Sequence, residues 1–375
     1  MPPATPIVTL SPDAVGWVRV AADVFANADG FGPSATNGGV TVVSGDVITE
    51  PLYLTGYRTT WSTHDGTSWK ESAIWSALQS EYLDSLDVTT YGSGFLAFAS
   101  KDGFGNDSPH TNVYSSADGD TWQQIASIDG VSGGDVAAAG DHLVLIASDA
   151  NLERSLWTSS NGNDWVRDAD RSAGRIAAID TTLAGSTLGF FAIVPTDAGL
   201  NLWRSADGQA WTIATTFPGP PDFTGDAGGQ IVAGERGLVL AASFEIDSNP
   251  SDMSWGVKDM AWWSSDGTVW ESVAQPPTDV TAMVAYDDGF IAGAYAPSGG
   301  CCSGTGIWDG LGRGLTWVSG DGKSWRLVRS AGWKNQWLHD LVIIGDTLVG
   351  LTTDPASESL TPGGLWLANL DTFRE

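Results

Sequence analysis

The chain has 375 residues, of which 47 are Gly, 17 Pro and 19 Trp, and its 17 Lys and Arg stand against 45 Asp and Glu for a net charge of −28. A hydrophobic fraction of 42% is enough for a sizeable core, which excludes wholesale disorder. The charge argues against nucleic-acid partners and anionic membrane surfaces, and no apolar run approaches the ~20 residues that span a bilayer.

Residues 1–6 are Pro-rich and carry neither a basic nor an apolar segment, so they read as an N-terminal extension and not as a signal peptide. From residue 7 to 375 one pattern repeats. Trp61-Ser-Thr63-His-Asp65-Gly66-Thr-Ser-Trp69 is followed by Tyr114 to Trp122, Trp157 to Trp165, Trp203 to Trp211, Trp262 to Trp270 and Trp317 to Trp325. Each copy reads aromatic-x-[S/T]-x-[D/N]-G-x-x-W, and a decayed seventh begins at Trp366. The copies start 43 to 59 residues apart.

Each copy reads as a hairpin. Aromatic-x-Ser alternates as a half-buried strand does. Asp accepts local backbone N–H bonds and Gly tolerates positive φ, so Asp-Gly makes the turn. The Ser or Thr can bond within that turn, and the second Trp opens the next strand and can cover it. A strand pair precedes each hairpin: Asp87–Tyr91 with Phe95–Ser100, Asp135–Ala139 with His142–Ser148, Asp279–Tyr286 with Phe290–Tyr295, and Asp340–Ile344 with Thr347–Leu351. The first pair falls in Val40–Tyr57. Four strands, a to d, per ~50 residues predict an all-β chain, a single β-propeller of seven four-stranded blades. Ser11-Pro-Asp13-Ala-Val-Gly-Trp17 repeats the Ser, Asp and Trp spacing. The strand around Trp17 is therefore expected to close the last blade as its outer strand, with a self-contained last blade ending at Phe373 as the alternative.

The repeat resembles the Asp-box (BNR) repeat of sialidase-like propellers, S-x-D-x-G-x-x-W, with Asp and Gly here adjacent, which makes it one residue shorter than that form. The resemblance covers about residues 7–373. It implies the propeller fold and box residues that are structural, on the face opposite any active site. Such boxes occur in sialidases, endoglucanases, sorting receptors and assembly factors, so the resemblance implies little about function. Sialidases clamp a carboxylate with three Arg, one in Arg-Ile-Pro, and use a Tyr–Glu nucleophile pair with an Asp acid/base. Here there is no Arg-Ile-Pro, Arg58 lies beside the first box and not on the inner strand, and no Tyr–Glu pair has a plausible placement, so sialidase activity is not expected.

In a propeller the d–a and b–c loops share one face. Two b–c loops read as long, Glu245–Met260 in blade 5 and Pro297–Gly314 in blade 6. Trp255 and Trp308 fall in them, Trp333 and Trp337 in the connection into blade 7, and Trp75 after the last strand of blade 1. These five Trp are candidates for stacking on sugar rings, or else they pin loops to the barrel. Inner strands are expected to begin at Asp87, Asp135, Arg175, Gln230, Asp279 and Asp340. That reading places four carboxylates and one Arg at the mouth of a central channel, where a carboxyl can hold its proton or a cation can sit, or where the side chains simply bond between blades. His339 reads as a loop histidine. Cys301-Cys302 forms a vicinal disulfide or stays as two thiols, and Asp102-Gly-Phe-Gly-Asn106-Asp107 reads as an ordinary turn.

No cofactor is expected beyond that channel-mouth cation. The functional expectation is a monomeric, non-catalytic recognition or scaffold propeller, extracellular or at the cell surface, whose loop-rich face binds a glycan or a protein partner. The alternative is a carbohydrate-active hydrolase or lyase using two of Asp87, Asp135, Asp279, Asp309 and Asp340, at separations of roughly 5–9.5 Å.

Overall fold

A computed structural model describes residues 7–8, 16–20, 25, 28–50, 55–77, 83–103, 108–168, 176–177, 181–249, 254–278, 280–287, 289–297, 312–328, 337–353 and 364–373. The chain is all-β: seven antiparallel sheets, each built on four strands, make a seven-bladed β-propeller. Among the described residues helix is scarce: Ala73–Ala77, a 3-10 turn at Leu370–Thr372, and the single residues Phe25 and Ile176. By internal packing the chain falls into two compact units, residues 22–192 with 203–212, and residues 1–21, 193–202 and 213–375.

The first unit holds blades 1 to 3. Blade 1 runs Ala28–Asn37, Val40–Glu50, Thr55–Thr63 and Trp69–Glu71. This corrects the expected first pair at Val40–Tyr57. Val40–Glu50 is strand b, and strand a lies before it, joined through Gly38 and Gly39 at φ 58° and 81°. Strand a escapes detection because Ala-Asp-Gly-Phe-Gly-Pro-Ser-Ala carries two register shifts against strand b and no clean alternation. Blade 2 runs Ser85–Tyr91, Gly94–Lys101, His110–Ser116 and Gln123–Asp129, and blade 3 runs Val136–Ala139, His142–Asp149, Arg154–Ser159 and Val166–Arg167. Blades 1 and 2 bury a shared core of Val42, Leu86, Val88, Phe95 and Tyr114, and blades 2 and 3 another of Leu96, Phe98, Val113, Leu143 and Leu145.

Blade 4 is the sheet Thr182–Ser186, Gly189–Thr196, Gly199–Ser205 and Thr212–Pro218. Its inner strand thus starts at Thr182 and not at the expected Arg175, which lies outside the described residues. Ahead of it Ile176 is helical and Ala177 lies in a turn, both buried, so these apolar residues enter the core without being strand.

The second unit holds blades 5 to 7. In blade 5, strand a runs Phe223–Gly234 and so begins before Gln230; strands b and c, Gly237–Asn249 and Ser254–Ser264, are long. In the loop expected at Glu245–Met260, residues 245–249 and 254–260 are strand instead, paired from Glu245↔Val257 out to Asn249↔Ser254, and residues 250–253 lie outside the described residues. Its polar alternation suits a hairpin with one solvated face. Blade 6 runs Val280–Tyr286, Gly289–Pro297, Gly312–Ser319 and Arg326–Val328. Blade 7 joins Trp337–Ile344, Thr347–Thr353 and Gly364–Asn369 to Trp17–Val20, with Trp17 opposite Ala368 and Val20 opposite Leu365. The N-terminal strand therefore closes the last blade from outside, and Ile7–Val8 pairs onto it. Trp17, Trp366, Leu370 and Phe373 are buried together there.

The six repeats share one turn, except that the indole N–H of Trp270 in blade 5 makes no hydrogen bond. Ser116 Oγ accepts from Gly119 N at 2.8 Å, Asp118 Oδ1 accepts from Asp120 N and Thr121 N at 2.9 and 2.8 Å, and Trp122 Nε1 donates to Gly119 O at 3.0 Å. The turn Gly has φ between 73° and 80° in all six. At Gly119 and Gly208 a Cβ would also collide with Val42 and Val144 of the preceding blade, so glycine is required twice over.

Candidate functional site

The inner strand of blade 2 alternates. Leu86 and Val88 enter the core shared with blade 1, which turns Ser85 and Asp87 to the other face. Asp87 is half-buried. Blade 3 brings Asp135 close to it, one residue before strand a, and holds it through Ile146 N, which donates to Asp135 O at 2.9 Å. Gly133 and Gly134 let this segment approach. A Cβ at Gly133 would collide with Ser100 Oγ, and one at Gly134 would meet Ile146 O and come within 3.8 Å of Arg154 Nη2.

Two cations border the pair. Arg58, on strand c of blade 1, donates from Nε to Leu83 O at 3.2 Å and pairs through Nη1 with Asp46 Oδ1 at 3.1 Å. Arg154 opens strand c of blade 3. Burial, then repulsion from Asp135, push the Asp87 carboxyl up to about 7. Arg58 opposes that rise, as does Ser85, whose hydroxyl lies near without a hydrogen bond of normal geometry. Asp135 is exposed as a residue, yet protein around its carboxyl also raises it, against the pull of Arg154. At neutral pH, Asp87 is therefore divided between acid and anion, with Arg58 acting on it and Arg154 on its neighbour Asp135. Such a group can donate to or accept from a hydroxyl, and it can act as a general acid.

Of the sequence candidates, the structure brings Asp87 and Asp135 together. Asp340 lies in strand a of blade 7, where its Oδ1 accepts from its own neighbour Leu341 N at 2.8 Å. His339 is in that same strand, not in a loop. Trp337 also belongs to the strand, opposite Thr353, and not to the connection before it. Trp255 lies on strand c of blade 5 opposite Asp247. Trp75 is 1% exposed: its indole N–H donates to Thr60 Oγ1 at 2.7 Å and its ring meets Tyr114 and Trp122 edge-on or tilted at 5.0 and 5.9 Å. It offers no ring face to a ligand. Trp308, Trp333, Arg175, Asp279, Asp309, Cys301 and Cys302 lie outside the described residues. Asp46 and Arg154 were not singled out by sequence, and Arg58 was set aside, because no motif marks a residue that reaches the site from strands b or c. Among the described residues, no three His, Cys, Asp or Glu side chains are disposed to hold a metal ion, and no helix is long and apolar enough to cross a membrane.

No protein-family model matches the chain, and no curated protein matches it. Solved structures do. A lectin from Burkholderia pseudomallei is similar at 12% identity, with 92% of this chain and 96% of that one covered and a TM-score of 0.53. The β-propeller domain of the trilobed protease from Pyrococcus furiosus is similar at 7% identity, 92% and 98% coverage and a TM-score of 0.50. An α-L-arabinofuranosidase from Fusarium graminearum matches at 12% identity, 93% and 99% coverage and a TM-score of 0.49. At these identities the first two likenesses show the propeller fold alone.

Proposed function

We propose that the chain is an exported, non-catalytic glycan-recognition propeller that binds a neutral sugar at the Asp87–Asp135 cluster. The supporting observation is the convergence of Asp46, Arg58, Asp87, Asp135 and Arg154 at one end of blades 1 to 3. Carboxylates accept from sugar hydroxyls and guanidinium groups donate to them, so an alternating set reads a polyol better than it reads a fixed charge. That a structural relative is a lectin agrees with this reading.

A second reading, a glycoside hydrolase without sialidase specificity, is favoured by Asp87 itself. A carboxyl held up to about 7 keeps the proton that a leaving glycosidic oxygen needs. The two readings separate in one experiment on a glycan identified from an array. Arg154→Ala and Asp135→Asn should each weaken binding about 5- to 50-fold by calorimetry, the loss of one or two hydrogen bonds to charged groups. The wild-type protein should release no reducing end. Turnover that disappears in Asp87→Asn while binding persists would establish the hydrolase instead.

A further inference from the structure

On blades 1 and 2, and on blades 5 and 6, the repeated turns also bear on how neighbouring blades are joined. The residue after the second Trp of one turn faces the residue after the Gly of the next. Between blades 1 and 2 these are Lys70 and Asp120, with Lys70 Nζ at 2.6 Å from Asp120 Oδ2. Between blades 5 and 6 they are Glu271 and Lys323, with Nζ at 2.8 Å from Glu271 Oε2 and 3.8 Å above the Trp263 ring. In both seams a lysine lies across the gap, supplied once by the earlier blade and once by the later.

Between blades 3 and 4 the same two positions are Val166 and Gln209. No lysine stands at either position, as is also true between blades 2 and 3, where the two are Gln123 and Asn163; what sets the blade 3 and 4 pair apart is the cleft. Both residues line an open cleft of about 490 Å³, and Val166 is 65% exposed. Asp164, Asp168 and Asp207 line it as well, against Arg167 and His142, so with His neutral the lining carries an excess of negative charge. Asp207 is firmly ionised, because its Oδ1 accepts from Gln209 N and Ala210 N at 2.9 and 3.1 Å. Val166 supplies an apolar wall for an aliphatic stem. The cleft and the Asp135–Arg154 cluster sit at opposite ends of one strand, Arg154–Ser159.

We propose that this cleft is a docking site for a Lys or Arg side chain of a protein partner, the incoming cation taking the place that Lys70 takes between blades 1 and 2 and Lys323 between blades 5 and 6. The charge of −28 favours approach of such a segment. The inference is independent of the glycan reading, since it concerns other residues and another ligand.

The test uses fluorescein-labelled hexalysine as the probe, read by fluorescence anisotropy at about 150 mM salt, where diffuse attraction is screened. Val166→Lys and Gln209→Lys each place an internal lysine across the cleft, at the positions that Lys70 and Lys323 hold in their own seams. Both positions are exposed, so melting temperatures should be retained; if one variant fails to fold, the other carries the test. Glu235→Gln removes one negative charge from an exposed turn of blade 5 and controls for net charge. The expected result is a probe affinity at least tenfold weaker in each lysine variant and within twofold of wild type in Glu235→Gln. Equal weakening in all three, no weakening in the lysine variants, or no binding by the wild-type protein would overturn the proposal.

Discussion

Asn161 stands where the other five turns carry Asp, yet its Oδ1 accepts from Asn163 N and Asp164 N at 2.9 and 2.8 Å, the same bonds in the same places. What the turn needs is an acceptor, and charge is an addition to it. Asp207→Ala should therefore cost about 1–3 kcal/mol by thermal melting, from amides left without their acceptor, while Asp207→Asn should cost well under half of that. Asp87 behaves in the opposite way. Its folded value of about 7 lies above the ordinary carboxyl value of 3.8, so between those limits the folded chain holds a proton that the unfolded chain has released. Its contribution is fully present below pH 4 and is lost as pH rises through 7. Asp87→Asn should therefore melt higher than wild type at pH 8 and equal to it near pH 4; a lower melting temperature at pH 8 would show that the ionised carboxyl is well paired. The turn residues were legible in the sequence because their partners lie within three positions. The Asp87 environment was only half legible: the alternation announced the acid, but Arg58 reaches it from 29 residues away along strand c of another blade.

The last blade is assembled from both ends of the sequence, and its turn is divided between them. Asn369 Oδ1 accepts from Asp371 N at 2.8 Å, and Gly16, at φ 89°, abuts Thr372. Trp17 is 2% exposed and lies 5.8 Å from the Phe373 ring. Trp17→Ala should cost about 3–5 kcal/mol, the usual cost of an emptied aromatic site, and should increase proteolysis of 364–373, which pairs with the lost strand. If the melting temperature changed by less than a degree, the N-terminal strand would not be what closes the blade. This closure could be read from the Trp17 spacing. The long blade 5 hairpin could not, because Asp247, Ser248 and Asn249 look like turn residues and only the pairing partner across the strand reveals them as sheet. Strand a of blade 1 was hidden for a related reason: two irregularities against its partner remove the alternation on which detection depends.

For the whole molecule, −28 charges on 375 residues set a self-repulsion that grows as carboxyls ionise. The turn Asp residues have lowered values, so their stabilisation is complete above the ordinary carboxyl range and is lost below it. Asp87 and the net charge act the other way. The melting temperature should therefore peak at about pH 5, fall on both sides, and at pH 8 rise as salt is raised from about 20 to 300 mM through screening. A maximum at pH 8, or a flat salt response there, would show that neither repulsion nor Asp87 matters. Function is tested most directly by a day-long incubation of the wild-type protein with an array-identified glycan near pH 6, in which bound fraction and free reducing ends are followed together. Recognition at the Asp87–Asp135 cluster predicts saturable binding with no reducing ends formed; steady release that Asp87→Asn abolishes, or no glycan bound at all, would contradict it.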